Sequence, residues 1–158
     1  MATGLNNLAE LLRTTKRPGE ADPLYRRALA ISEKSLGPNH PQVATSLNNL
    51  ATLLHDTNRL GEAEPLFRRA LAIDEASYGP DHPEVATDLN NLATLLGATN
   101  RPGDAEPLLR RALAICEKSL GTDHPNTVLV RNNLAALEAE RGRAGAKKTF
   151  FGRLFGKR

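Results

Sequence analysis

Apolar residues return along this chain at three- and four-residue steps, in stretches parted by short polar breaks. Between 43 and 54 they are Val43, Leu47, Leu50, Ala51 and Leu54, the spacing of one buried stripe on an α-helix. The segment TNRLGE at 57–62 interrupts the stripe with Asn and Gly. A second stripe follows at Leu66, Phe67, Ala70, Leu71 and Ile73, with acids early and Arg68 and Arg69 later. Pro65 falls near the start of that helix, where the ring is better tolerated than farther in. YGPDHPE at 78–84 closes the unit, and Pro83 suits the first position of another helix. The pattern predicts two antiparallel helices joined by a tight turn.

The unit recurs. LNNLA stands at 5–9, 47–51 and 89–93, each 42 residues after the last, and returns as RNNLA at 131–135. Segments 43–84 and 85–126 agree at 31 of 42 positions. A fixed period of this length marks a stacked array in which no unit buries its apolar face alone. The expected organisation is an array over 1–140, made of repeats 1–42, 43–84 and 85–126 and the first helix of a fourth at 127–140. A basic tail occupies 141–158.

The frame A…LNNLA…G.AEPL.RRALAI.EKSLG..HP..VA resembles the long tetratricopeptide (TPR) repeat of the kinesin light chain family and its bacterial relatives. The resemblance runs over nearly the whole chain. It implies an all-α, right-handed superhelix of antiparallel helix pairs, with first helices lining a concave groove and second helices forming the outer wall. It also implies a protein-interaction role, with an extended peptide held in the groove.

Two adjacent asparagines in an apolar frame need a reason, because Asn competes for backbone hydrogen bonds and is a mediocre helix former. The resemblance places Asn49, and by register Asn7, Asn91 and Asn133, on the groove face. Asn48 and its equivalents Asn6, Asn90 and Asn132 fall close by. An amide offers two donors and an acceptor, so it can pair with a peptide unit whatever the side chain. Asn can also bond the next repeat and fix the spacing of the helices. The expectation is that one Asn of each pair faces ligand and the other is structural. Thr45 and Thr87, with Thr3, are expected at the groove lip, and Thr52 and Thr94 beside the asparagines. Arg13 and His55 are the candidate cations, opposed by Glu10 and Asp56. Kinesin relatives favour acidic, tryptophan-bearing peptides, which want a basic groove. This groove is mostly neutral, so that cargo is not expected here.

Composition narrows the classes. Aromatics make up 4% of the 158 residues and Trp is absent, so a core must come from Leu, Ala and Ile. That favours packed helices over a β-sandwich. The single cysteine, Cys116, cannot form an internal disulfide and fits a reducing, cytoplasmic setting. No apolar run is long enough for a membrane span, and the first residues lack the pattern of a secretion signal. The net charge of +3 hides an asymmetry: 141–158 carries seven Lys and Arg and no acid, which leaves 1–140 at −4. Nucleic acid is therefore not an expected partner, and membrane contact is expected only through 141–158.

Other candidates carry less. His40, His82 and His124 recur in the HP loops, but successive repeats stand too far apart for one metal ion. They read as residues holding the start of the following helix. Asp22, Glu64 and Glu106 each precede an arginine by four residues (Arg26, Arg68 and Arg110), so the outer face is expected to pair with itself. No phosphate loop, zinc-binding helix or nucleophile elbow is present; neither a cofactor nor catalysis is expected. Cys116 aligns with Ser32 and Asp74.

The tail holds Phe150, Phe151, Leu154 and Phe155 on one helical face. Its register against Arg59, Gly61, Phe67 and Arg69 predicts a degenerate second helix that caps the stack. A membrane-surface helix or a partner-docking segment are the alternatives. At the other end Met1 aligns with Val43, so the chain opens on a first helix. Uncapped ends could join copies end to end, as a homodimer or a structural spacer.

Overall fold

A computed structural model describes the backbone of residues 1–155 and the side chains of residues 1–143. It holds seven helices: α1 (Ala2–Thr14), α2 (Pro18–Leu36), α3 (Pro41–Asp56), α4 (Leu60–Tyr78), α5 (Pro83–Ala98), α6 (Pro102–Leu120) and α7 (Pro125–Phe155). Among the described residues there is no strand. α1, α3 and α5 each pack against the even-numbered helix that follows, and α3, α5 and α7 against the one before. The result is an all-α solenoid.

Local chemistry sets the helix ends. Thr15, Thr57 and Thr99 close α1, α3 and α5, each donating its hydroxyl to carbonyls of the last turn. The next residues, Lys16, Asn58 and Asn100, take φ of 59°, 59° and 58°, the left-handed region that reverses a helix. At the starts of α3 and α5, His40 Nδ1 accepts from the Gln42 amide at 3.1 Å and His82 Nδ1 from the Glu84 amide at 3.2 Å. His124 does the same for Asn126 at 3.2 Å. The loop histidines are helix caps, which accounts for their recurrence.

The outer wall pairs with itself. Arg26, Arg68 and Arg110 bond the acids four residues earlier. Arg59 and Arg101 bridge back to Asp22 and Glu64 of the previous repeat. Arg69 and Arg111 reach Glu33 and Glu75 in the same way. Such exposed pairs contribute little singly, about 0–1 kcal/mol each, but they fix which repeats are neighbours.

Two leucine stripes on each interior odd helix, α3 and α5, make the core. Leu47, Ala51 and Leu54 of α3, and Leu89, Ala93 and Leu96 of α5, face their own hairpin partner; Leu50 and Leu53, and Leu92 and Leu95, face the preceding repeat. All are buried. The end helices reveal this division. In α1, Ala9 and Leu12 are buried, whereas Leu8 and Leu11 stand exposed. In α7, Leu134 and Leu137 are buried against α6, while the other stripe reads Arg131, Ala135 and Glu138 and faces outward. Arg131 pairs with Glu117 and Glu138 with Arg110.

That polar stripe corrects the expectation for the tail. α7 continues to Phe155 without the turn that ends α1, α3 and α5, so the tail does not fold back as a capping second helix. The register supplies three reasons. Arg141 stands where Thr15, Thr57 and Thr99 close the helix. Ala21, Ala63 and Ala105 are fully buried in the hairpins, and the corresponding residue is Lys147, whose charge would be costly to bury. Ala28, Ala70 and Ala112 are also fully buried, and there the tail has Leu154, which would overfill the space. The polar face of α7 itself closes this end. The contacts expected of Phe150, Phe151, Leu154 and Phe155 lie outside the residues whose side chains are described.

Candidate binding groove

The asparagine pairs divide. Asn6 Nδ2 donates to Ser46 Oγ at 3.2 Å, and Asn48 Nδ2 donates to Asp88 Oδ1 at 2.5 Å. Each reaches 40 residues forward, onto the next odd helix. The corresponding partner for Asn90 is Val130, which cannot accept. There the amide turns, and Asn133 Nδ2 donates to Asn90 Oδ1 at 2.8 Å. In the first three pairs the first Asn therefore stitches neighbouring odd helices together, and in the fourth Asn133 completes the last stitch. Asn48 and Asn90, expected to serve the groove, are held in this way, and Asn90 is buried.

The second asparagines differ. Asn7, Asn49 and Asn91 make no side-chain hydrogen bond among the described residues; Asn7 is exposed and the other two are half-buried. Asn133 uses a donor but keeps its carbonyl. Thr52 and Thr94 donate to the carbonyls of Asn48 and Asn90 at 2.8 and 2.9 Å. Exposed Thr45 and Thr87 donate to Pro41 and Pro83 at 3.3 Å. These threonines thus offer acceptor oxygens and methyl groups rather than donors.

Between successive odd helices lies a series of clefts in register, and they are not alike. The middle one, of about 230 Å³, is lined by Thr52, His55, Phe67, Asn90, Asn91, Thr94, Leu129 and Asn133. The structure thus brings six of the expected groove residues together. Leu129, which is 52% exposed, was not anticipated; an apolar residue outside the helix's buried register was its signal. The third cleft, of about 300 Å³, is lined by Ala93, Thr94, Gly97, Ala98, Leu109, Asn133, Ala136, Leu137 and Glu140.

The first position in the series is occupied by its own side chains. Tyr25 Oη donates to Glu10 Oε2 at 2.7 Å, and Arg13 donates to both Glu10 oxygens and to Asp56. The Arg13 hydrogen bonds hold the Glu10 carboxyl below its ordinary range. Glu10 in turn raises the Arg13 pKa, and burial with the Glu10 bond raises that of Tyr25. Arg13 is therefore not an available cation: it crosses from α1 to α3 and is fully paired. His55 lies in the middle cleft, with Nδ1 3.7 Å from Asp56 Oδ1, beyond hydrogen-bond reach.

Beneath the groove, one acidic pair escaped the sequence reading. Asp74 of α4 and Asp88 of α5 are 5% and 1% exposed, and each has one oxygen without a conventional partner. Burial first, then Asp74 and Glu84, push the Asp88 carboxyl up to about 7 against the opposing bond from Asn48. Burial and Glu84 raise Asp74 as well. Burial and mutual repulsion thus disfavour both carboxyls being charged at once. The same positions hold Ser32 and Ser46 at the first joint and Cys116 and Val130 at the third. All six are buried, and burial raises the Cys116 thiol, which suits packing rather than reactivity.

Among the described residues no helix is long and apolar enough to cross a membrane. The sequence profile of the tetratricopeptide repeat family matches residues 1–76, 60–118 and 101–146. Comparison with curated protein sequences gives no match. Among solved structures, a Podosopora anserina protein described as a kinesin light chain with nearly identical TPR-like repeats is similar, at 25% identity and TM-score 0.82. The alignment covers 91% of this chain and 68% of that one. BtubC (BKLC) from P. vanneervenii is 26% identical with TM-score 0.76, over 87% of this chain and 54% of its own. Aspartyl phosphate phosphatase F from Bacillus subtilis shares the fold at 18% identity and TM-score 0.77, over 99% of this chain and 41% of its own.

Proposed function

The chain belongs to the tetratricopeptide repeat family, and from that premise we propose that it is a non-catalytic interaction module whose groove holds an extended peptide by its backbone. The observation that carries this is the state of the second asparagines. Asn49 and Asn91 keep whole amides unengaged, and Asn91 and Asn133 flank a concave cleft. An amide so placed can donate to and accept from a peptide unit in any sequence. Each bond contributes about 0.5–1.5 kcal/mol net, so affinity needs several repeats acting together. The setting proposed is cytoplasmic, which the lone, unpaired Cys116 favours.

The test is selection of displayed random peptides, run in parallel on the parent and on Asn49→Ala/Asn91→Ala. Enrichment by the parent alone supports the groove. Peptides that bind both proteins equally would move the binding site elsewhere.

One observation favours a second reading, association through the stack end. Leu8 and Leu11 are 47% and 58% exposed and occupy positions that are covered in α3 and α5. The opposite end presents Arg131 and Glu138, so head-to-tail joining would bury charge, and of these two described faces the α1 face suits self-contact. Light scattering over a concentration series decides it. Growth in size that Leu8→Gln/Leu11→Gln abolishes supports this reading, and a constant monomer mass rejects it.

A further inference from the structure

The clefts in register form a graded series, and the grading comes from two positions. Where the first repeat has Arg13 and Tyr25, the second has His55 and Phe67 and the third has Gly97 and Leu109. In the first, the pair fills the space through the Glu10 network. In the second, the imidazole and phenyl ring line what is left. In the third both are cut back, one of them to no side chain at all, and the cleft is lined mainly by Ala, Leu and Gly. Leu109 and Leu137 are almost wholly covered by protein, and Leu137 Cδ1 lies 3.7 Å from where a Cβ on Gly97 would sit. A glycine inside a helix costs stability relative to a residue with a side chain. Gly97 is helical with ordinary φ, so no backbone conformation calls for glycine there.

We infer that the third cleft is an anchor pocket, which seats one large aliphatic or aromatic side chain of the peptide. The inference rests on the groove reading above and names what the groove selects. A space of about 300 Å³ lies at the small end of ligand sites, which suits one side chain and not a cofactor. Thr94 and Asn133 line both this cleft and the middle one. A strand passing Asn91 therefore reaches the pocket without leaving the groove, and alternate residues of an extended peptide point the same way. Among the described residues the one charged residue lining the pocket is Glu140, so a basic neighbour of the anchor is favoured and an acidic one disfavoured.

The test restores the second repeat's residues in the third: Gly97→His/Leu109→Phe, both already accommodated at the equivalent positions. Peptides selected by the parent are expected to share one apolar position, and to lose about tenfold or more in affinity for the filled variant. If selected peptides depend on Asn49 and Asn91 but share no apolar position, or bind the filled variant equally, the anchor is refuted while the groove reading stands. If the parent selects nothing, the groove reading fails, and the pocket is judged by itself. N-acetyl-leucinamide and N-acetyl-phenylalaninamide are titrated while amide shifts of Gly97, Leu109 and Leu137 are followed. Saturable shifts in the parent that are absent from Gly97→His uphold the pocket, and no shifts overturn it.

Discussion

The first and last odd-numbered helices, α1 and α7, come from one repeated sequence and end the stack in opposite ways. α1 keeps the apolar pattern of an interior helix, leaving Leu8 and Leu11 in solvent. α7 keeps the leucines that meet α6 and replaces those that would meet a further helix by Arg131 and Glu138. Each end thereby shows what half of an interior helix is for. In a solenoid stability is a sum of terms within repeats and between them, and a change of two residues turns a contact face into a terminus.

The largest effect should come from emptying an interior contact. Leu95 is fully buried and its counterpart Leu11 is 58% exposed. Leu95→Ala should cost about 2–5 kcal/mol, and Leu11→Ala within about 0.5 kcal/mol, read by urea denaturation. Equal losses would mean that α1 is covered in solution and would erase the contrast between the ends.

The middle joint adds a loss of stability with rising pH, opposite in sign to the contribution of Glu10 at the first joint. Asp88 titrates near 7 in the folded protein, against about 3.9 for a free aspartate. Asp74 faces it from α4, Asn48 from α3, and Glu84 and His82 lie at the start of its own helix. Below about pH 4 Asp88 is protonated whether folded or unfolded; between there and 7 only the folded state keeps the proton. The folded state binds more protons, so stability falls as pH rises through that window. Asp88→Asn should flatten the profile and, above pH 7, raise stability by on the order of a few kcal/mol. Denaturation midpoints at pH 5 and pH 8 measure this, and a parent more stable at pH 8 would contradict the raised Asp88 carboxyl.

A smaller effect tests the end itself. Arg131→Leu/Glu138→Leu gives α7 the outer face of α5. That variant should associate with rising concentration, each leucine contributing at most about 1.5–3 kcal/mol if covered, while the parent's α7 end does not. Analytical ultracentrifugation of the two proteins makes the comparison. A variant no larger than the parent would mean that a polar outer face is not what closes this end.

Most of the fold was legible because its determinants are local and repeated. Leucine spacing, the TN and GP breaks and the HP starts each name a helix boundary, and the period makes the reading redundant. The tail was misread for the opposite reason. Arg143, Gly145, Phe151 and Arg153 matched the register, whereas Lys147 and Leu154 fell where the hairpin admits only alanine. That constraint is visible only once Ala21, Ala28 and their equivalents are seen fully buried. Within the groove the division of each Asn pair was foreseen as a possibility, but which member stitches depends on Ser46 and Asp88 lying across the joint. Glu10 stands three residues from Arg13 and was named as its counterion, but Asp56 reaches Arg13 only through the packing of α3 on α1, which completes the pairing.

The central claim is that the first asparagine holds the stack and the second serves a ligand. The most direct measurement compares Asn48→Ala with Asn91→Ala, each for urea stability and for affinity toward a peptide selected on the parent. Asn48→Ala should lose about 1–3 kcal/mol of stability, because Asp88 Oδ1 is left without its donor. Asn91→Ala should stay within about 0.5 kcal/mol in stability and lose about tenfold in affinity. Equal stability losses with no loss of binding would make both asparagines architectural and contradict the account.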